Sequence, residues 1–170
     1  MIVIIIGVLA ALRLPVGCRV KRNARSLQCK NNLHELSLAL KMYTNENNGL
    51  YPDVANMPSA KLNDLPSLRD VLDKYSGNPQ VFKCPNDNMG YFQTEGTSHE
   101  CNVRLANQLT VPGPMANVMT ESRTSVPYDC EDFHGPKGTP GSRNFVYLVG
   151  HIEGSLAPPG DVTPGTETAQ

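Results

Sequence analysis

The chain has 170 residues, 39% apolar, 18% charged and 6% aromatic with no Trp, which suits one domain and excludes a large multi-domain enzyme. A net charge of −1 supplies no global basic field and argues against nucleic acid as the main partner. Gly and Pro, 14 residues each, predict many turns and short elements rather than a helical bundle.

Apolar character is concentrated at the start. Met1 to Leu12 carries no charge, and after Arg13 it resumes only through Leu14-Pro15-Val16. A freely spanning helix wants roughly 20 apolar residues, so this stretch is short unless Arg13 snorkels or further residues precede it. A cleavable secretory signal would need a basic n-region and a small-x-small site, and neither is evident. A lipoprotein signal ending at Cys18 would place Pro15 at a critical position. The third reading is a membrane helix that continues into the rest of the protein past a basic cluster of Arg19, Lys21, Arg22 and Arg25.

Downstream, Leu33, Leu36, Leu40 and Tyr43 fall at helical spacing and form one stripe of an amphipathic helix. Asn47-Asn48-Gly49 supplies the stop, with Gly49 suited to a left-handed C-terminal position. A continuous helix to Asn45 would be about 65–70 Å long at 1.5 Å per residue, kinked at Pro15. Ser67 is placed to N-cap a second helix with Leu68, Val71, Leu72 and Tyr75 on one face, ended by Gly77. Gln80–Lys83, Tyr91–Thr94, Val103–Leu105 and Val118–Thr120 are short strand candidates, and Asn144–Val149 is the best strand. Gly150-His151 fits a two-residue hairpin turn returning through Ile152 to Ala157. Residues 158–170 have the composition of a disordered tail.

The expected fold class is α+β: a long N-terminal helix, half apolar and half amphipathic, packed on a small antiparallel sheet. The chain divides into residues 1–25 as the membrane or assembly half of that helix, 26–157 as the α+β domain, and 158–170 as the tail.

Ile4-Ile5-Ile6-Gly7-Val8-Leu9-Ala10-Ala11-Leu12-Arg13-Leu14-Pro15 resembles the N-terminal helix of type IV pilins and of type II secretion pseudopilins. Four later pieces are similar to the planctomycete-type pseudopilin-like group. They are Cys29 to Leu33 leading into Ala39-Leu40-Lys41-Met42-Tyr43 and Asn48-Gly49-Leu50-Tyr51-Pro52; Phe82-Lys83-Cys84-Pro85-Asn86-Asp87; Ser98 to Asn102; and Phe133-His134 with Asn144 to Glu153. The family's basic leader and its charge-neutralising Glu would fall before Met1. Arg13 stands where the family is apolar, and Val149 replaces the Asp that normally precedes the Gly at 150.

The resemblance implies a structural, non-enzymatic subunit of a type II secretion or type IV pilus-like filament. It would be single-pass in the bacterial cytoplasmic membrane with a periplasmic domain, and its partners would be the membrane and other pilin or pseudopilin subunits. Ile2, Ile4, Ile5, Ile6, Val8, Leu9 and Leu12 would pack in membrane and filament, with Pro15 at the kink. The positive-inside rule alone would put the side carrying Arg19 to Arg25 in the cytoplasm; the resemblance implies the opposite orientation. A runner-up is a membrane-tethered exported binding module whose loop Asp129–Arg143 contacts a ligand.

Five cysteines are an odd count. In an exported domain Cys84, Cys101 and Cys130 allow three pairings, of which Cys84 with Cys101 is favoured. Cys18 and Cys29 lie about 16 Å apart along a helix, too far to bond, and read as small apolar filler. Cys84 with Cys101 lacks the paired Cys-x-x-Cys steps of a zinc ribbon. No cofactor is required. Asp129, Glu131 and Asp132, with His134 close by, could hold calcium in a C-terminal loop, as major pseudopilins do in a comparable region, although a solvated acidic turn accounts for them more simply. Ser98-His99 on a strand would point to opposite faces, and His134 and His151 have no nucleophile motif beside them, so no catalytic constellation emerges.

Overall fold

The computed structural model describes residues 2–57, 59, 65–109, 125–147 and 152–155, with side chains from residue 20 onward except at 155. Three α-helices, α1 (Ile2–Glu46), α2 (Leu68–Ser76) and α3 (Tyr91–Glu95), accompany four strands. The strands β1 (His99–Cys101), β2 (Ser125–Asp129), β3 (Arg143–Tyr147) and β4 (Ile152–Ser155) form one antiparallel sheet in the order β1-β2-β3-β4. The expected α+β class, with a long N-terminal helix and an antiparallel sheet, is therefore present.

Helix α1 runs through Pro15 as one element. Cys29, Leu33, Leu36, Ala39 and Leu40 are buried along one face, with Tyr43 packed at its end. Each fully buried Leu contributes about 1.5–3 kcal/mol of transfer free energy. That stripe is shared among several elements: α1 packs on α2, on a 3-10 turn at Pro79–Phe82, and on β2 and β3. The helix stops as its sequence dictates, because Asn48 (φ 54°) and Gly49 (φ 78°) both turn left-handed and the Gly49 amide donates to the Thr44 carbonyl at 2.8 Å. Helix α2 begins with a reciprocal capping box between Ser67 and Asp70 and ends at Gly77 with φ 62°. Its Tyr75 ring meets Tyr43 edge-on at 6.1 Å.

Three expected strands are helical. Pro79 at the start of a turn capped by Asn78 makes Pro79–Phe82 a 3-10 helix, since Pro fixes φ in the helical range and has no amide to give a ladder. Tyr91–Glu95 is α3, flanked by left-handed Gly90 and Gly96, and its first amides are held by the Asp87 carboxylate. Val103–Leu105 is likewise a 3-10 turn. The Val118–Thr120 candidate, the turn at Gly150-His151 and the tail 158–170 lie outside the described residues. Ile152 pairs with Val146, whereas a two-residue turn at Gly150-His151 would have paired it with Val149.

Gly154 in β4 explains itself by proximity. A Cβ there would come within 2.7 Å of the Gly141 Cα, a backbone atom that cannot swing aside. Gly154→Ala is expected to cost about 1–3 kcal/mol through this overlap, read as a lowered denaturation midpoint in the full chain. An unchanged midpoint would show that the loop around Gly141 yields freely.

Candidate functional site

Four chain segments converge under the helix. Cys29 comes from the buried face of α1, Cys84 follows the 3-10 turn, Asp129 ends β2, and His134 lies in the loop after it. One ligand-type atom from each, two sulfurs, one oxygen and one nitrogen, all lie within 4.8 Å of one another. The β2–β3 pairing shifts register between Ser125 and Tyr128, where Pro127 cannot donate to the ladder. Such irregularities re-aim the side chains that follow. Asp129, next but one, is wholly buried.

Asp129 is the hub. Its Oδ1 accepts from the Cys29 thiol at 3.0 Å and lies 3.1 Å from His99 Nδ1. Its Oδ2 lies 3.1 Å from His134 Nε2 and accepts from both the backbone and side-chain amides of Asn144 at 3.0 Å. Burial works to raise the Asp129 carboxyl, but its contacts with His134 and His99 and their charge outweigh it and hold it well below the usual range. Burial likewise opposes protonation of His134, and its contacts with Asp129 and Cys84 overcome this, raising it to about 9. Burial, followed by the contact with Cys84 and the Asp129 charge, raises the Cys29 thiol. The Cys84 thiol is lowered, first by the hydrogen bond with Cys29 and then, against burial, by His134.

A thiol, an imidazole and a carboxylate also make up a nucleophilic triad, but the wiring differs. In a triad the nucleophile and the carboxylate occupy opposite ring nitrogens. Here Cys84 Sγ, at 3.5 Å, and Asp129 Oδ2 approach the same His134 nitrogen, Nε2, while Nδ1 faces the Asn86 amide at 3.0 Å. The groups converge on a point rather than forming a relay. His99 is wholly buried beside them; its Nδ1 is near Asp129 but poorly aligned for a hydrogen bond, and its Nε2 has no partner among the described residues.

The residues singled out from sequence are distributed differently from the expectation. Cys84 and Cys101 are both buried free thiols; Cys84 joins the cluster, whereas Cys101 on β1 lies outside it. Burial raises the Cys101 thiol to about 12. The acidic trio does not converge. Asp129 points inward, while Glu131 and Asp132 lie 3.6 and 3.8 Å from the Arg143 guanidinium, and Asp132 also accepts from Ser142. Calcium, which needs 6–8 oxygens, is poorly matched to that arrangement. The side chains of Ile2, Ile4, Ile5, Ile6, Val8, Leu9, Leu12 and Pro15, and all of His151, lie outside the described residues. Cys29, read as filler, was missed; its place on the same helical stripe as Leu33 and Leu36 was the available signal.

His134 also faces a cavity of 520 Å³ lined by Lys21, Arg22 and Arg25 of α1 with Asn86 and Phe133. Beside it, Asp87 accepts from the Gly90, Tyr91 and Phe92 amides at 2.8, 3.2 and 2.8 Å and from the Ser98 hydroxyl at 2.7 Å. Burial acts to raise Asp87, and these bonds prevail and lower it from its ordinary 3.8. A depressed carboxyl stabilises the fold fully above its unfolded value and loses that contribution as pH falls through the folded one. Asp87→Ala is expected to cost about 2 kcal/mol at neutral pH. The gap to the parent should begin to narrow below about pH 4, where the unfolded chain takes up its proton first, and close as pH falls through the lower folded value; a gap independent of pH would contradict the charge-based account.

Comparison with protein-family models, curated proteins and solved structures finds no match.

Proposed function

We propose that the chain is a structural, pilin-like subunit, anchored through its N-terminal helix and assembling with other such subunits. One observation carries this reading: α1 is 45 residues long, yet from residue 20 onward its first buried side chain is Cys29. From residue 20 up to Cys29 the side chains stay at least partly exposed, and the sequence that precedes them, Met1 to Leu12, is uncharged and apolar. Among the described residues no helix is long and apolar enough to cross a membrane. The anchoring proposal therefore rests on the composition of residues 1–16 and on their resemblance to pilin helices.

The test is fractionation of the full chain expressed in a bacterium with two membranes, followed by alkaline carbonate extraction and amine cross-linking. Membrane retention with a ladder of cross-linked multimers is the expected result; release by carbonate would overturn the anchor. Retention without multimers would favour a tethered binding module, a reading supported by the cavity where Lys21, Arg22 and Arg25 meet His134.

A further inference from the structure

We infer that Cys29, Cys84, Asp129 and His134 form a mononuclear site for a tetrahedral divalent metal ion of the zinc class. This inference does not depend on filament assembly, and it concerns the domain alone.

The donor set selects the ion. Two sulfurs exclude calcium and magnesium, which take hard oxygen ligands, and a mixture of thiolate, imidazole and carboxylate is the ligand chemistry of zinc. Tetrahedral bonds of about 2.0–2.3 Å put neighbouring donors about 3.3–3.8 Å apart. The four donor atoms lie within 4.8 Å of one another, with Cys29 Sγ 3.0 Å from Asp129 Oδ1 and Cys84 Sγ 3.5 Å from His134 Nε2, so shifts of the order of an ångström bring them to tetrahedral spacing.

The surroundings already have the form of an outer shell. Metal-bound imidazoles donate their other N–H to a fixed partner, which sets the tautomer. His134 presents Nε2 to the cluster and Nδ1 to Asn86 at 3.0 Å. Turning the Asn86 amide, whose oxygen and nitrogen are interchangeable in shape, lets its oxygen accept from Nδ1–H and leaves the Nε2 lone pair for the ion. Asn144 holds Asp129 Oδ2 through two amides, which leaves Oδ1 as the ligating oxygen. His99 Nδ1 lies 3.1 Å from Asp129 Oδ1, placed as an outer-shell neighbour of the ligating carboxylate.

Two thiolates and one carboxylate on a divalent ion leave a single negative charge. Lys21, Arg22 and Arg25 border the cavity that His134 also lines, so cations stand near the site. With four protein donors the ion has no open position, which makes the site structural rather than catalytic. The competing chemistry is a Cys29–Cys84 disulfide, which would oxidise both thiols with loss of two protons and two electrons to an external thiol-disulfide oxidant. A disulfide would use the sulfurs and leave the convergence of Asp129 with His134 and His99 unexplained.

The test uses the full chain, purified in detergent with reductant and loaded with zinc or cobalt. Zinc-edge X-ray absorption should give two sulfur neighbours at about 2.3 Å and two nitrogen or oxygen neighbours at about 2.0 Å. Cobalt should give tetrahedral visible bands with thiolate charge transfer. Both readouts use the unaltered chain and so do not depend on a variant's folding. Cys84→Ser should halve the charge-transfer intensity, Asn86→Ala should weaken zinc binding about 10–100-fold, and Cys101→Ala should leave the spectrum unchanged. A metal shell without sulfur, no zinc uptake by the reduced chain, or metal-free protein from the periplasm with Cys29 and Cys84 joined would overturn the site.

Discussion

Asp129→Leu should destabilise the metal-free chain by about 3–5 kcal/mol, measured by denaturant unfolding at neutral pH, the cost typical of removing one partner from a buried ion pair. The carboxylate is fully enclosed and serves Cys29, His99, His134 and Asn144 at once. Leu has the same number of side-chain heavy atoms with the same branching and is the bulkier group, so no cavity is left and the loss reports polar connectivity together with any overpacking. Each stranded donor costs its own desolvation. Asp129→Asn, which keeps an acceptor but not the charge, should fall between the two. If Asp129→Leu were neutral or stabilising, the cluster would contribute nothing to the fold and water would have to reach His134 in place of the carboxylate.

Phe82→Ala should produce a loss of similar size, about 3–5 kcal/mol, by a different route. Phe82 is completely buried in the main core among the α1 and α2 leucines, and its carbonyl accepts from the Ser98 amide at 2.8 Å. Two residues on stands Cys84. Asn32 of α1 fastens the same segment by donating to the Lys83 carbonyl at 2.7 Å. Emptying the Phe82 pocket should therefore loosen the Cys84 loop as well as the core, and thiol alkylation of Cys84 should accelerate in the variant. Equal stability losses without faster alkylation would mean that Asn32 alone fixes the loop.

The two variants also separate what sequence can and cannot reveal. The Leu33-Leu36-Leu40 stripe, the Asn48-Gly49 stop and the Ser67–Gly77 limits of α2 were legible because each depends on neighbours within a turn or two of chain. Tyr91–Thr94 misled because Tyr, Phe and Thr favour strands, while the force that makes α3 helical is a carboxylate, Asp87, gathering three amides from outside the segment. The cluster itself was hidden more deeply. Asp129 and His134 were seen only as an acidic turn with a neighbouring histidine, and Cys29 lies 100 residues from Asp129. No local spacing encodes a meeting between a helix face, a post-turn cysteine and a strand end. A cysteine on a leucine stripe and a Cys-Pro step after a buried Phe were visible as residues, but their common destination depends on tertiary packing.

Along α1 from residue 20, Cys29 is the first side chain to leave solvent. Tension arriving from the N-terminal end of the helix would reach the domain there before it reached Leu33 or Leu36, and it would act to peel the helix away one turn at a time. Apolar contacts resist peeling poorly, because they part in sequence rather than together. A metal joining Cys29 to Cys84, Asp129 and His134 would set a coordination bond at the crack tip and convert peeling into shear along the whole stripe. Pulled from its N-terminus, the zinc-loaded chain should rupture at higher force than the chelated one, with the difference lost in Cys29→Ser.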